Sequence, residues 1–187
     1  MKTDTRRHEH EAWTAWLEAA CSLGQRFYNE LEGDDPFAYN ETASVSHLTA
    51  AASLSGYLAL AEFATAKKAR HNRRLRASGR SDFWLCSNKR SWAFEFKQIT
   101  YGPLTSPKLR AKMEEAEQCA RCICEADADL AVAGLIVSTY WQDWPINHDT
   151  LRSIEGFSKH CDFAWRLETA PEAFTYMFFN VRRPRRA

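Results

Sequence analysis

Residues 129–140, DLAVAGLIVSTY, are the strongest constraint on the fold of this chain. They form a near-continuous apolar run, rich in β-formers, and a strand of that kind is covered on both faces. Helical patterns stand on either side of it in the sequence. Residues 9–32 carry Trp13, Trp16, Leu17, Ala20, Leu23, Phe27 and Leu31 at helical spacing. Gly33-Asp34-Asp35-Pro36 then breaks the pattern. A second long helix is predicted from about Val45 to Lys68, with Leu54, Leu58, Ala61 and Thr65 on one stripe, Glu62 at its edge, and a cap at Thr42, Ser44 or Ser46. Residues 108–127 and 147–160 also read as helices. Asp82–Cys86, Ser91–Ile99, 163–168 and 174–181 read as strands, the last two as a possible pair. Ser78-Gly79-Arg80-Ser81 reads as a turn and 101–106 as a loop. The order predicts one α/β domain over 1–187, with a mixed central sheet flanked by helices. Its core lies at about 45–140, with an added N-terminal helix (9–32), C-terminal strands (162–181) and a basic tail (182–187). At 187 residues, 45% of them hydrophobic, the chain can bury such a core without crosslinks.

The second constraint is a hairpin. In Trp92-Ala-Phe-Glu-Phe-Lys97, side chains alternate, so Trp92, Phe94 and Phe96 share one face and Ala93, Glu95 and Lys97 the other. The aromatic face is the natural core face, which sends Glu95 and Lys97 away from it. A turn centred on Asn88-Lys89 sets Asp82 directly opposite Glu95, with Cβ atoms about 4.5–5.5 Å apart. Like charges in that position repel, and a divalent cation relieves the repulsion. Hard cations such as Mg²⁺ prefer carboxylate oxygens. Asp82 and Glu95 are therefore candidate ligands for Mg²⁺ (or Mn²⁺), and Lys97 can reach a phosphate or a water. Glu62 is a candidate to complete the shell. This set suits metal-assisted phosphodiester hydrolysis.

The residues Ser81-Asp82, twelve intervening positions, then Glu95-Phe96-Lys97-Gln98 resemble the PD-(D/E)XK nuclease superfamily, over roughly residues 45–140. An acid on the helix before the hairpin (Glu62) and the helix and apolar strand after it add to the likeness. The resemblance implies a restriction-endonuclease-like core, Mg²⁺ bound by the Asp and Glu, and a Lys that assists the nucleophile. It adds Gln98 as a weaker candidate, since some members carry a Gln there. The chain departs from the pattern at Ser81, where the name-giving Pro would stand. No strand is evident before Asp82, where Arg-rich sequence fills the space.

Net charge is +1, but the charges are segregated. Residues 1–41 hold nine acids against four Lys/Arg. Residues 67–80 hold seven Lys/Arg and no acid: Lys67, Lys68, Arg70, Arg73, Arg74, Arg76 and Arg80. That run suits phosphate contacts with nucleic acid, DNA more than RNA. The tail Arg182-Arg-Pro-Arg-Arg186 admits two readings, a polyanion contact or a solvated, frayed end. The acidic N-terminal helix with Trp13 and Trp16 would suit a homodimer or a partner protein. Two further readings therefore stand beside the enzyme: a nuclease-like module that only binds a protein or nucleic acid, and an α/β protein with no nucleic-acid role.

Cys119, Cys122 and Cys124, with Cys21 upstream, match in outline the iron–sulfur cysteines of some nucleases in this superfamily. They fall within a predicted helix that turns Cys124 away from the other two, so buried thiols are the favoured reading. The six histidines show no convergent spacing. Trp84 is the aromatic residue best placed to stack on a base. No charged-then-apolar leader opens the chain, and no apolar run reaches the roughly 20 residues that span a bilayer. The expectation is a cytoplasmic protein with reduced thiols and no membrane contact.

Overall fold

A computed structural model describes residues 7–68, 76–100, 102–138, 147–171 and 173–186. The described elements are α1 (Arg7–Glu30), α2 (Pro36–Tyr39), α3 (Glu41–Leu54), β1 (Leu58–Lys68), β2 (Arg76–Cys86), β3 (Ser91–Thr100), α4 (Ser106–Ala120), β4 (Leu130–Ser138), α5 (His148–Ser158), β5 (Phe163–Ala170) and β6 (Ala173–Arg182). Six strands form one mixed sheet in the order β1-β2-β3-β4-β6-β5. Only the β3–β4 pair is parallel, and α4 makes the crossover between them. The chain thus folds as an α/β protein with helices on both faces of the sheet.

β4 accounts for the layering. Val132 and Ile136 face the cluster under α1 and α3, while Ala131, Ala133, Leu135 and Val137 face the cluster under α4 and α5. Every residue from Ala131 to Ser138 is buried, as the apolar run predicts. The α1 side is aromatic. Trp13 meets Phe179 at 5.1 Å, Phe163 at 5.2 Å and Phe94 at 5.3 Å between ring centroids. Trp16 stacks on Phe83 at 5.1 Å, and its Nε1 donates to the Leu48 carbonyl at 2.8 Å. That bond satisfies the one polar atom of a fully buried indole. Both tryptophans have 0% exposure, so they hold the domain together and neither offers a surface to a partner. Phe27 and Leu31, expected in the buried stripe, are 36% and 51% exposed.

The predicted helix over 45–68 is replaced by two elements. Asn40 caps α3, its side chain accepting from Ala43 N–H, so the helix begins at Glu41. It ends at Leu54, and Gly56 at φ +81° turns the chain into β1. Alternating Leu and Ala in Leu58-Ala-Leu-Ala61 satisfies a strand as readily as a helix, and pairing with β2 selects the strand. The predicted turn at 78–81 likewise lies inside β2, where Ser78 pairs with Ala66 and Arg80 with Ala64. The strand missing before Asp82 in the sequence reading is therefore present as β1. α4 ends at Ala120 rather than near 127, so Cys122 and Cys124 lie beyond it. β5 and β6 pair as predicted, and β6 also joins the central sheet beside β4.

Candidate metal centre

The β2–β3 turn closes as the pattern requires. Ser87 N–H donates to the Arg90 carbonyl at 2.9 Å, and Ser87 Oγ accepts from the N–H groups of Lys89 and Arg90. The ladder runs from Cys86↔Ser91 to Phe83↔Phe94, so Asp82 and Glu95 stand next in register. There the ladder stops. Asp82 Oδ2 accepts the Phe96 N–H at 2.7 Å, between Glu95 and Lys97. β1 and β2 stay paired as far as Lys68↔Arg76, while β3 continues beside β4 to Thr100. The two-stranded ribbon β1–β2 thus leaves the β3 ladder where the acids sit, and side-chain bonds from Ser81 and Asp82 take its place.

Glu95 faces α4, as the alternation predicts, but it is buried at 3% exposure rather than open to solvent. It accepts from Ser81 Oγ at 2.7 Å. Ser81 thus contributes a hydrogen bond to the candidate ligand. The Asp82 carboxyl is pushed up from 3.8 to about 6, first by burial and then by the charge of Glu95. The Phe96 N–H and the Lys97 ammonium oppose that rise, and Glu41 adds to it.

Glu41 was not anticipated from the sequence. It opens α3 and holds the next two residues of the motif together. Its Oε1 meets Lys97 Nζ at 2.9 Å, and its Oε2 accepts the Gln98 N–H at 3.0 Å. Lys97 Nζ also donates to the Phe96 carbonyl at 2.6 Å. Burial lowers the Lys97 pKa, but the hydrogen bond and charge of Glu41, with Asp82 behind it, outweigh burial and leave it above the ordinary lysine value. Lys97 is thus a held cation. The signal that could have found Glu41 is Asn40 as a helix cap, which puts Glu41 in the first turn.

Glu62, predicted on a helix, stands on β1 at φ +49°, in the left-handed region a glutamate seldom enters. Its neighbours pair as Ala61↔Phe83 and Phe63↔Ser81, so it lies opposite Asp82. Its carboxylate bonds Arg80 Nη1 at 2.9 Å, with both side chains exposed. Glu41, Glu62 and Asp82 line one cavity of about 50 Å³, enough for an ion or a few waters. Gln98 is a strut. Its Nε2 donates to the Phe37 carbonyl and to Ser138 Oγ, and its Oε1 accepts from Ser44 Oγ.

Among the described residues, no three His, Cys, Asp or Glu side chains are placed to hold a metal ion by themselves. Mg²⁺ commonly needs only one or two carboxylates, with water and substrate phosphate completing its octahedron. Asp82 and Glu95 supply hard oxygen donors; the Asp82 carboxyl is raised first by burial and then by the Glu95 charge, and a cation would offset the second. They are the residues that could hold Mg²⁺ or Mn²⁺.

Of the basic candidates, Lys67 and Lys68 lie on β1, and Arg76 and Arg80 on β2 of the same ribbon. Arg70, Arg73 and Arg74 fall outside the described residues. No disulfide joins any of the six cysteines among the described residues. Cys21 lies on α1, its Sγ donating to the Glu168 carbonyl of β5, while Cys119 lies on α4 on the opposite face of the sheet. Trp84 is half-buried, with Nε1 donating to the Asp127 carbonyl at 3.1 Å. No helix among the described residues is long and apolar enough to cross a membrane. No protein-family model, curated protein or solved structure matches the chain at a significant level.

Proposed function

We propose that this protein is a Mg²⁺-dependent nuclease of the PD-(D/E)XK kind, acting on DNA in preference to RNA. One observation carries the reading: where the hairpin ladder ends at Phe83↔Phe94, the Asp82 carboxylate bonds the backbone between Glu95 and Lys97. Asp82 and Glu95 would hold the ion. When bound, the ion polarises the phosphate and makes a bound water acidic. Lys97, kept protonated by Glu41, serves as a fixed positive charge for the developing phosphorane rather than as a base. Glu41 acts through Lys97 and is a positioning residue. Ser81 orients Glu95 in the same sense. The β1–β2 ribbon places Lys67, Lys68, Arg76 and Arg80 on the arm that separates from β3 beside these acids. A two-stranded ribbon is also a shape that a DNA groove accepts.

The test is cleavage of supercoiled plasmid, single-stranded DNA and RNA by purified protein with Mg²⁺ or Mn²⁺, against an EDTA control. Glu95→Ala and Lys97→Ala should each reduce the rate by about a hundredfold or more, as loss of a main electrostatic contributor does. Wild type and both variants behaving alike would overturn the reading. Retention of DNA without cutting would instead leave a nuclease-like binding module.

A further inference from the structure

A second charged site lies at the other end of β3. The cleft there measures about 520 Å³ and is lined by Glu9, Lys89, Arg90, Asp129, Leu130, Val181, Arg182 and Arg183. It belongs to the start of β3, four residues before Glu95, and so lies roughly 13 Å along the strand from that acid. Four cations from two distant parts of the chain meet in it.

Both acids of the cleft are engaged. Glu9, 1% exposed, accepts from Arg90 Nη1 and from Trp92 Nε1, which fixes the guanidinium at the cleft wall. Asp129 accepts from Ser91 N–H at 2.8 Å and Ser91 Oγ at 2.9 Å, and these bonds hold its carboxyl below the usual range. Arg182 is steadied from α4, with Nη2 3.7 Å from Glu117 Oε2. Lys89 and Arg183 are exposed and make no ion pair among the described residues.

The tail that carries these arginines is pinned rather than frayed. Arg185 forms a parallel bridge with Cys124, its N–H donating to the Ile123 carbonyl at 3.2 Å and its carbonyl accepting from Glu125 N–H at 2.9 Å. Two guanidinium groups are therefore fixed by carboxylates, and two more cations stand at the rim. Fixed guanidinium forks suit phosphate oxygens. The volume suits a nucleotide-sized ligand. Among the described residues no aromatic side chain lines the cleft, which leaves phosphate, not a base, as the group to recognise.

We propose that this cleft is a phosphate-binding site, filled either by a free polyphosphate such as a nucleoside triphosphate or by the terminal phosphate of a nucleic-acid end. It is separate from the Asp82–Glu95 centre.

The test is calorimetric titration in EDTA at low salt, using pyrophosphate, ATP, and a DNA hairpin with or without a 5′-phosphate. Saturable one-site binding is expected, weakened by Lys89→Glu and by Arg183→Glu roughly tenfold or more, as loss of a charge-assisted contact implies. Lys108→Glu, an exposed change in the first turn of α4 beyond the far end of β3, and Asp82→Asn should leave it intact. Binding of pyrophosphate or ATP identifies a free polyphosphate. Preference for the phosphorylated hairpin alone identifies a strand end. Arg183→Gln serves as a milder variant, and melting temperature checks that each variant folds. No saturable binding by any probe, or equal loss in Lys108→Glu, would overturn the proposal, whatever the outcome of the cleavage assay.

Discussion

Glu41 and Lys97 form an ion pair at 2.9 Å, with side chains 34% and 24% exposed, across 56 residues of chain. The pair ties the first turn of α3 to the middle of β3. The same carboxylate accepts the Gln98 N–H. Glu41→Ala therefore removes an acceptor from two donors at once, one of them charged. Each partly buried donor left unmet costs about 1–3 kcal/mol, and water reaching this site keeps the total near the lower end. The urea midpoint should fall accordingly. The Lys97 pKa is raised above its ordinary 10.5, so the pair stabilises fully below about that pH and less as pH rises through the folded value. Glu41→Ala should flatten that alkaline limb.

Asp82 makes the opposite contribution. Its folded pKa, about 6, lies above the ordinary 3.8, so between those values the folded state binds more proton than the unfolded state. Metal-free stability should therefore fall as pH rises from about 4 to about 6. Asp82→Asn keeps an acceptor for the Phe96 N–H and removes the charge. Above about pH 6 it should be more stable than wild type by on the order of 1–2 kcal/mol, a figure reduced for partial exposure. Melting curves across that range in EDTA check the slope. A gain in stability on deleting a charge marks a site kept for function.

The register of the hairpin was legible because three signals agreed: aromatic alternation on β3, a polar reversal at Ser87–Arg90, and the spacing of Asp82 and Glu95. The buried strand β4 was legible from composition alone. β1 was not, because Leu and Ala serve a helix stripe and a strand equally, and the partner that decides for Leu58–Ala61 is Phe83–Cys86 of β2, 22 to 28 residues away. That error carried Glu62 onto a helix and hid Glu41. Glu41, not Glu62, is the acid that the preceding helix brings to Lys97. Its position depended on a cap at Asn40, one residue past a four-residue helix that the Gly33–Pro36 break obscured. The burial of Glu95 depended on α4 packing over β3, which strand alternation cannot reveal.

Gly134 on β4 tests how closely the core supports the site. A Cβ there would lie 2.4 Å from Cδ1 and Cε1 of Phe96. That ring cannot yield easily, since it stacks on Phe94 at 5.6 Å and has Phe83 and Phe179 beyond. Gly134→Ala should destabilise by roughly 1–3 kcal/mol through overpacking. Because Phe96 sits between Glu95 and Lys97, the same change should lower cleavage. Gly156 on α5 has nothing within 4 Å of an added Cβ, so Gly156→Ala should stabilise by about 0.5–1 kcal/mol and leave the site alone. Denaturant melts of the two variants should move in opposite directions.

Metal binding should be readable without catalysis. At about pH 7.5 Asp82 is ionised beside Glu95, and a cation bound only by the folded state raises stability as its concentration passes Kd. Mn²⁺ or Mg²⁺ should then raise the melting temperature. At about pH 5 the Asp82 carboxyl, with its pKa near 6, holds a proton that the ion must displace, so the rise should shrink. Asp82→Asn and Glu95→Gln should abolish it at both pH values. Lys97→Ala separates binding from chemistry. Removing a positive charge beside the pair should keep or enlarge the metal-dependent rise, while cleavage is lost. A rise that survives in Asp82→Asn and Glu95→Gln would place the ion elsewhere in the protein.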